Sequence, residues 1–166
     1  MLKPVTGDIL LTKAQAIAHG IAPHDDFKQG LALALRERFP AMVKDFRHYS
    51  SAHNPKPGTA WIWGGVDGDG RTVGIVNLLT QEPPAAAGKH PGKATLANLN
   101  HALHELKKLI ATEKLTSLAL PRLATGVGGL DWKEVHPLLH KVLDDVKIPI
   151  YVYATYKPGV AANEAP

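Results

Sequence analysis

The segment that most constrains this chain is Leu120-Pro121-Arg122-Leu123-Ala124-Thr125-Gly126-Val127-Gly128-Gly129-Leu130-Asp131-Trp132. The apolar run Thr116–Leu120 enters it as a buried strand. A glycine-rich turn follows, and Asp131 then caps a helix whose core face is Trp132, Val135, Leu139, Val142 and Val146. Glu134, three residues after Asp131, completes a capping-box-like start, with Pro137 expected in or just after the first turn. A strand that passes through glycines straight into a helix is a building unit of α/β domains. Glycine permits close backbone approach and positive φ. Exposed N–H groups and a helix N-terminus suit a diphosphate, but the same residues also suit a tight connection with no ligand. The spacing is neither a P-loop nor a G-x-G-x-x-G fingerprint.

The rest of the chain alternates in the same way. Lys3–Val5 and Ala16–Ile21 read as strands, Gly30–Phe39 as a helix ending at Pro40, and Ala41 to about His48 as a second helix. The polar loop His53–Gly58 leads to strands at Thr59–Trp63 and Thr72–Leu79, joined by the turn-rich run Gly64–Gly70. Leu96, Leu99, Leu103, Leu106, Leu109 and Ile110 share one helix face, and Ile148–Thr155 reads as the last strand. Pro83–Gly88 is expected to be a flexible loop. The expected domain is 1–156, with 157–166 as a flexible tail. With 166 residues there is room for one α/β domain, a central sheet with helices on both faces.

The absence of cysteine excludes disulfides, thiol catalysis and iron–sulfur clusters. The opening Met1-Leu2-Lys3-Pro4 lacks the apolar core of a signal peptide, and no apolar stretch is long enough to span a membrane, so a cytoplasmic protein is expected. The net charge of +4 favours anionic partners without choosing among them.

Other segments carry weaker signals. Asp8, in Gly7-Asp8-Ile9-Leu10, is either a turn aspartate or an acceptor for an adenine amino group. The polar loop from His19 to Gly30 follows a strand, where open α/β sheets bind ligands. Asp67 and Asp69 fit a plain turn rather than a calcium loop. The helix pairs His101/His104 and His136/His140 lack a third ligand and read as solvated, so no metal is expected. No G-x-S-x-G elbow is present.

In order and spacing these segments resemble a macrodomain, the ADP-ribose-binding three-layer α/β/α fold with a central mixed six-stranded sheet. The marks are Gly7-Asp8-Ile9, Ala18-His19-Gly20-Ile21, Gly30 before a helix ending at Phe39, and Pro121-Arg122 leading to Gly126 and Leu130-Asp131-Trp132. The branch resembled contains the terminal-ADP-ribose protein glycohydrolase and the antitoxins that strip ADP-ribose from DNA. The resemblance implies that Asp8 and Ile9 hold adenine. It implies that His19, Gly20, Ile21 and Ala22 line the first ligand loop, with Gly30 at the helix mouth. Thr125, Gly126, Val127, Gly128 and Gly129 would cradle the diphosphate, and Tyr153 is either an adenine wall or a half-buried strand residue. ADP-ribose, carried by a mono-ADP-ribosylated protein or DNA, is the implied partner, with no cofactor, no membrane and a monomeric chain.

Two departures stand out. The branch's nucleophilic lysine is replaced in Thr80-Gln81, and Gly128 stands where its protein-directed enzyme has an aspartate. Glutamine cannot form a Schiff base, so a noncovalent, water-dependent route is expected, with Gln81, Thr80 and His19 as catalytic candidates. His19, His24, Asp25 and Glu82 are candidates for proton transfer, since a histidine near its ordinary pKa is the easiest neutral-pH acid. Lys28 replaces a family glycine. Lys89, His90 or Lys93, in the loop 82–93, either folds over the site or is solvated. The expected activity is removal of mono-ADP-ribose, first from acidic side chains, whose ester is the weakest linkage, and second from DNA bases. The alternative is a non-catalytic reader.

Overall fold

Ala16, Ala18, Val76 and Leu78 are buried on one face of a sheet, and Ile17, Ile21, Ile75 and Leu79 on the other. Period-two strands covered on both sides require this pattern, and they dictate the three layers. The computed structural model describes residues 2–86 and 88–165. The elements are β1 (Leu2–Gly7), β2 (Ala16–Ile21), α1 (Gly30–Arg38), α2 (Pro40–His53), β3 (Ala60–Val66), β4 (Thr72–Leu79), α3 (Leu96–Thr112), β5 (Leu118–Leu120), α4 (Trp132–Leu143) and β6 (Ile150–Tyr156). A short 3₁₀ turn, Ile9–Leu11, follows β1. Among the described residues, no helix is long and apolar enough to cross a membrane.

The six strands run in the order β1-β6-β5-β2-β4-β3, parallel except for the β3/β4 hairpin. Leu99, Leu103 and Leu106 of α3 pack with Val135 and Leu139 of α4 on one face. Leu35 of α1 packs with Met42, Val43 and Phe46 of α2 on the other. Five parallel strands therefore end along one edge, and their outgoing loops meet there.

Several boundaries differ from the sequence reading. The second helix runs on to His53, where Asn54 caps it at φ 42, because its last turn, Ser50–His53, carries only polar and small residues and no large apolar one to mark it. The hairpin tip is Asp67–Arg71, and the Asp67 carboxylate accepts from the N–H groups of Asp69 and Arg71, both at 2.9 Å. Pro137 lies just after the first turn of α4, as expected and on its exposed side, whereas Val146 lies beyond the helix end. Asp131 caps α4 by accepting from Lys133 N at 3.0 Å. Within the Pro83–Gly88 loop, Ala87 lies outside the described residues.

Residues 157–165 lie against the end of β1, where Asp8 N donates to Val160 O at 2.7 Å. The Glu164 carboxylate accepts from Thr12, Lys13 and Tyr153. Polar backbone and side-chain pairing secures the tail without an apolar pattern to announce it.

Candidate functional site

A cleft of about 560 Å³ opens along the edge where the parallel strands end. Strand order sets its long axis. Asp8, Ile9 and Leu10 follow β1, Tyr153 and Tyr156 come from β6, the 121–128 loop leaves β5, and His19, Gly20 and Gln81 belong to β2 and the end of β4. Four interstrand steps separate Asp8 from Gln81, roughly 19 Å at ordinary sheet spacing. The cleft is thus long and open-ended, suited to an extended molecule with a group at each end.

The middle is built to take an anion. Thr125 Oγ1 donates to Arg122 O at 2.8 Å, and Leu130 N donates to Ala124 O at 2.9 Å, which closes the 122–130 loop into a compact turn. Ala124 is held at φ 63, a conformation unusual for a residue with a Cβ. Among the described residues, the N–H groups of Gly126, Val127 and Gly128 donate to no partner, and all three residues line the cleft. Facing them is the first turn of α1, Gln29 to Ala32, whose N-cap residue Gln29 gives no side-chain cap. Gly30 starts that helix at φ 58, and nothing lies within 4 Å of where its Cβ would be. Two sets of unpaired amides plus a helix dipole form a nest for negative charge.

At the β1 end, Asp8 Oδ1 accepts from Leu10 N at 3.0 Å, which caps the 3₁₀ turn. The Tyr153 hydroxyl donates to Glu164 at 2.6 Å. Burial, followed by the Glu164 carboxylate, raises its pKa above the usual tyrosine value, so it remains a protonated donor.

At the β4 end, Gln81 Nε2 donates to Gly92 O at 3.0 Å. Its Oε1 accepts from none of the described residues and is free to orient a hydroxyl or water in the cleft. His19 and Asn77 face each other in the parallel β2/β4 register, and His19 Nε2 donates to Asn77 Oδ1 at 2.7 Å. The Asn77 Nδ2 is turned toward Met42 Sδ and Trp61 O, which places its oxygen toward the histidine. Burial lowers the His19 pKa to about 4, opposed by the Asn77 hydrogen bond. A histidine titrating near neutrality was expected, and burial overturns that. His19 is neutral at pH 7, with its Nε2 proton committed to Asn77. Burial raises the pKa of Asp25, against the hydrogen bonds that it accepts from Phe27 N and Ala22 N.

Of the expected residues, Asp8, Ile9, His19, Gly20, Ile21, Gly30, Gln81, Thr125, Gly126, Val127, Gly128 and Tyr153 surround this one cleft. Thr80, Ala22 and Gly129 do not line it. Thr80 is fully buried beneath Gly20, where an added Cβ would lie 2.7 Å from Thr80 Oγ1. Its side chain is enclosed rather than presented to a substrate. Ala22 is also buried, and Gly129 faces the Lys93 side chain.

Asp25 lines the cleft, whereas His24, Lys28, Glu82, Lys89, His90 and Lys93 do not. His24 Nε2 instead pairs with Asn54 Oδ1 at 3.0 Å. Of the described residues of the 82–93 loop, only Pro91 reaches the lining. The His136/His140 pair, Nε2 to Nε2 at 3.1 Å, lies on α4 outside the cleft. Asp26, Gln29 and Arg122 lie in segments that the sequence pointed to without assigning these side chains to the site, and Tyr156 carried no assignment at all. Arg122 had a usable signal in its place just after β5; it donates to Ala154 O at 2.6 Å and lies 5.3 Å from the Trp132 ring centre.

A family model described as Macro domain matches residues 16–139. The chain belongs to the Macro domain family. It is 27% identical over 151 residues to a DNA ADP-ribosyl glycohydrolase of Mycobacterium tuberculosis, covering 88% of this chain and 40% of that protein. It is 25% identical over 150 residues to human ADP-ribose glycohydrolase OARD1, covering 89% of this chain and 88% of that one. The chain thus spans about 40% of the length of the mycobacterial relative. The macrodomain of Mycobacterium tuberculosis DarG superposes with a TM-score of 0.78 at 21% identity, covering 96% and 99% of the two chains. Thermosipho africanus DarTG, solved in complex with ADP-ribose, also gives 0.78 at 20% identity, covering 95% and 42%.

In this macrodomain Gly128 has no space for a larger residue. Its Cβ would lie 2.7 Å from Ala124 O and 3.0 Å from the Ala94 Cβ. The position implied to hold an aspartate is thus closed to one here. Gln81, the residue the resemblance sets against the branch's lysine, is held by the neck of the 82–93 loop through its bond to Gly92 O.

Proposed function

We propose that the chain is an ADP-ribosyl hydrolase that releases mono-ADP-ribose from a modified macromolecule. The observation that carries this reading is the row of unpaired Gly126, Val127 and Gly128 amides midway between Asp8 and Gln81. An ADP-ribose laid along the cleft has its adenine at Asp8, its diphosphate on the amides and α1, and its distal ribose at Gln81. The reacting carbon is then next to Gln81 Oε1, which holds a water by accepting a hydrogen bond from the O–H that stays on the sugar as its new hydroxyl. Water oxygen bonds to the anomeric carbon as the bond from that carbon to the linkage atom breaks, and the electron pair leaves with that atom. Asp25 and Asp26, which also line the cleft, are the carboxylates available to take the water's other proton. Neutral His19 supports the floor and transfers no proton.

ADP-ribosylated DNA is the substrate placed first. The names of the mycobacterial and Thermus relatives, and a sequence pI of 9.3, support it. An ester to an acidic side chain is the second reading, favoured because it needs least from a site without a lysine.

Release of free ADP-ribose is to be measured with catalytic amounts of the chain, on a base-modified oligonucleotide and on a glutamate-modified protein. The expected result is multiple turnover on the oligonucleotide, reduced at least tenfold in Gln81→Ala. Turnover on the protein alone selects the ester. No turnover on either, with ADP-ribose still bound, makes the chain a reader.

A further inference from the structure

The segment 157–165 has no role in the cleft lining, yet its polar contacts converge on two residues that do. Gly159 N donates to Asp8 Oδ2 at 3.0 Å, while Oδ1 takes Leu10 N from the other side. Asp8 N donates to Val160 O, and Lys157 N to Gly7 O at 3.0 Å. Each carboxylate oxygen of Asp8 thus holds one backbone donor, which fixes the plane of the group and leaves further acceptor capacity for a ligand.

A second cluster lies beside the first. Glu164 Oε2 accepts from the Thr12 hydroxyl at 2.5 Å and the Tyr153 hydroxyl at 2.6 Å, and its Oε1 accepts from Lys13 N at 2.9 Å. The Lys3 ammonium donates to Ala165 O. Gly7 is shaped for this crossing, since a Cβ there would lie 2.8 Å from both Ala162 N and Val160 O.

We propose that residues 157–165 are the rear wall of the adenine end, with Gly159 and Glu164 as positioning residues that set Asp8 and Tyr153 for the 6-amino group of adenine. This rests on the ADP-ribose reading of the cleft. Gly159 fixes the acceptor that reads the amino group. Glu164 engages the Tyr153 hydroxyl, so that the tyrosine offers its ring rather than a competing donor. Base discrimination is therefore set by a segment that does not itself touch the ligand.

The test uses the full chain and titrates two ligands by calorimetry: ADP-ribose and its counterpart with oxygen in place of the adenine 6-amino group. Gly159→Pro removes the donor to Asp8 and cannot adopt φ 72. Glu164→Ala removes the other anchor independently. The expected result is a roughly tenfold loss of ADP-ribose affinity in each variant, with the oxygen counterpart unchanged, so that discrimination collapses. Equal losses for both ligands, or no loss for either, overturn the proposal. If the unaltered chain binds neither ligand, the ADP-ribose reading itself fails and the proposal with it.

Discussion

His19 shows how much one neighbour decides. The parallel register places it beside Asn77, both are buried, and the pair satisfies itself. Its folded pKa of about 4 lies below the ordinary 6.5. Below pH 6.5 the unfolded chain therefore gains a proton that the folded chain refuses. Stability falls as pH drops from 6.5 to 4, by up to about 3 kcal/mol for this group. Asp25 acts with the opposite sign, because its raised pKa lets the folded chain keep a proton that the unfolded chain loses above 3.8. Comparison of variants separates the two. The urea midpoint is expected to fall more between pH 7 and 4.5 in the unaltered chain than in His19→Gln; equal falls contradict a neutral His19. The sequence showed a histidine at a strand end, but not the burial that removes it from neutral-pH proton transfer.

At the scale of elements, the 122–130 loop and the neck of the 82–93 loop behave as one unit. Ala94 N donates to Gly128 O at 2.9 Å, Glu82 N to Lys93 O at 3.0 Å, and Gln81 pairs with Ala94 across an isolated bridge. Gly128→Asp drives a side chain into that junction and is expected to cost about 1–3 kcal/mol, read as a melting temperature several degrees lower. An unchanged melting temperature contradicts the packing described for this junction. Elements with an apolar period were legible, which is why α3, β4 and the start of α4 match their expected positions closely. The end of α2 and the tail were not. The last turn of α2 carries no large apolar residue and closes on an asparagine in the left-handed region, and the segment 157–165 is held by hydrogen bonds that leave no mark in hydropathy.

Over the whole molecule, strand order turns scattered motifs into one site. Gly7-Asp8, His19-Gly20, Gln81 and the 121–128 loop are far apart in sequence, and the order β1-β6-β5-β2-β4 sets them in a line. The alternation of strands and helices was readable from residue spacing. The order of the strands was not, since it depends on which apolar faces find each other across the chain; the family resemblance implied a mixed six-stranded sheet without ordering its strands.

The central claim is that this line of loops holds ADP-ribose with its diphosphate on the Gly126–Gly128 amides. Gly126 is the position to change, because nothing lies within 4 Å of its absent Cβ, so a larger residue leaves the fold intact. Calorimetric titration of ADP-ribose into the unaltered chain and into Gly126→Glu tests the claim directly. The account predicts one site per chain in the first and a loss of binding of at least a hundredfold in the second, at an unchanged melting temperature. Equal affinity in both would place the diphosphate elsewhere, and no binding by the folded, unaltered chain would contradict the site altogether.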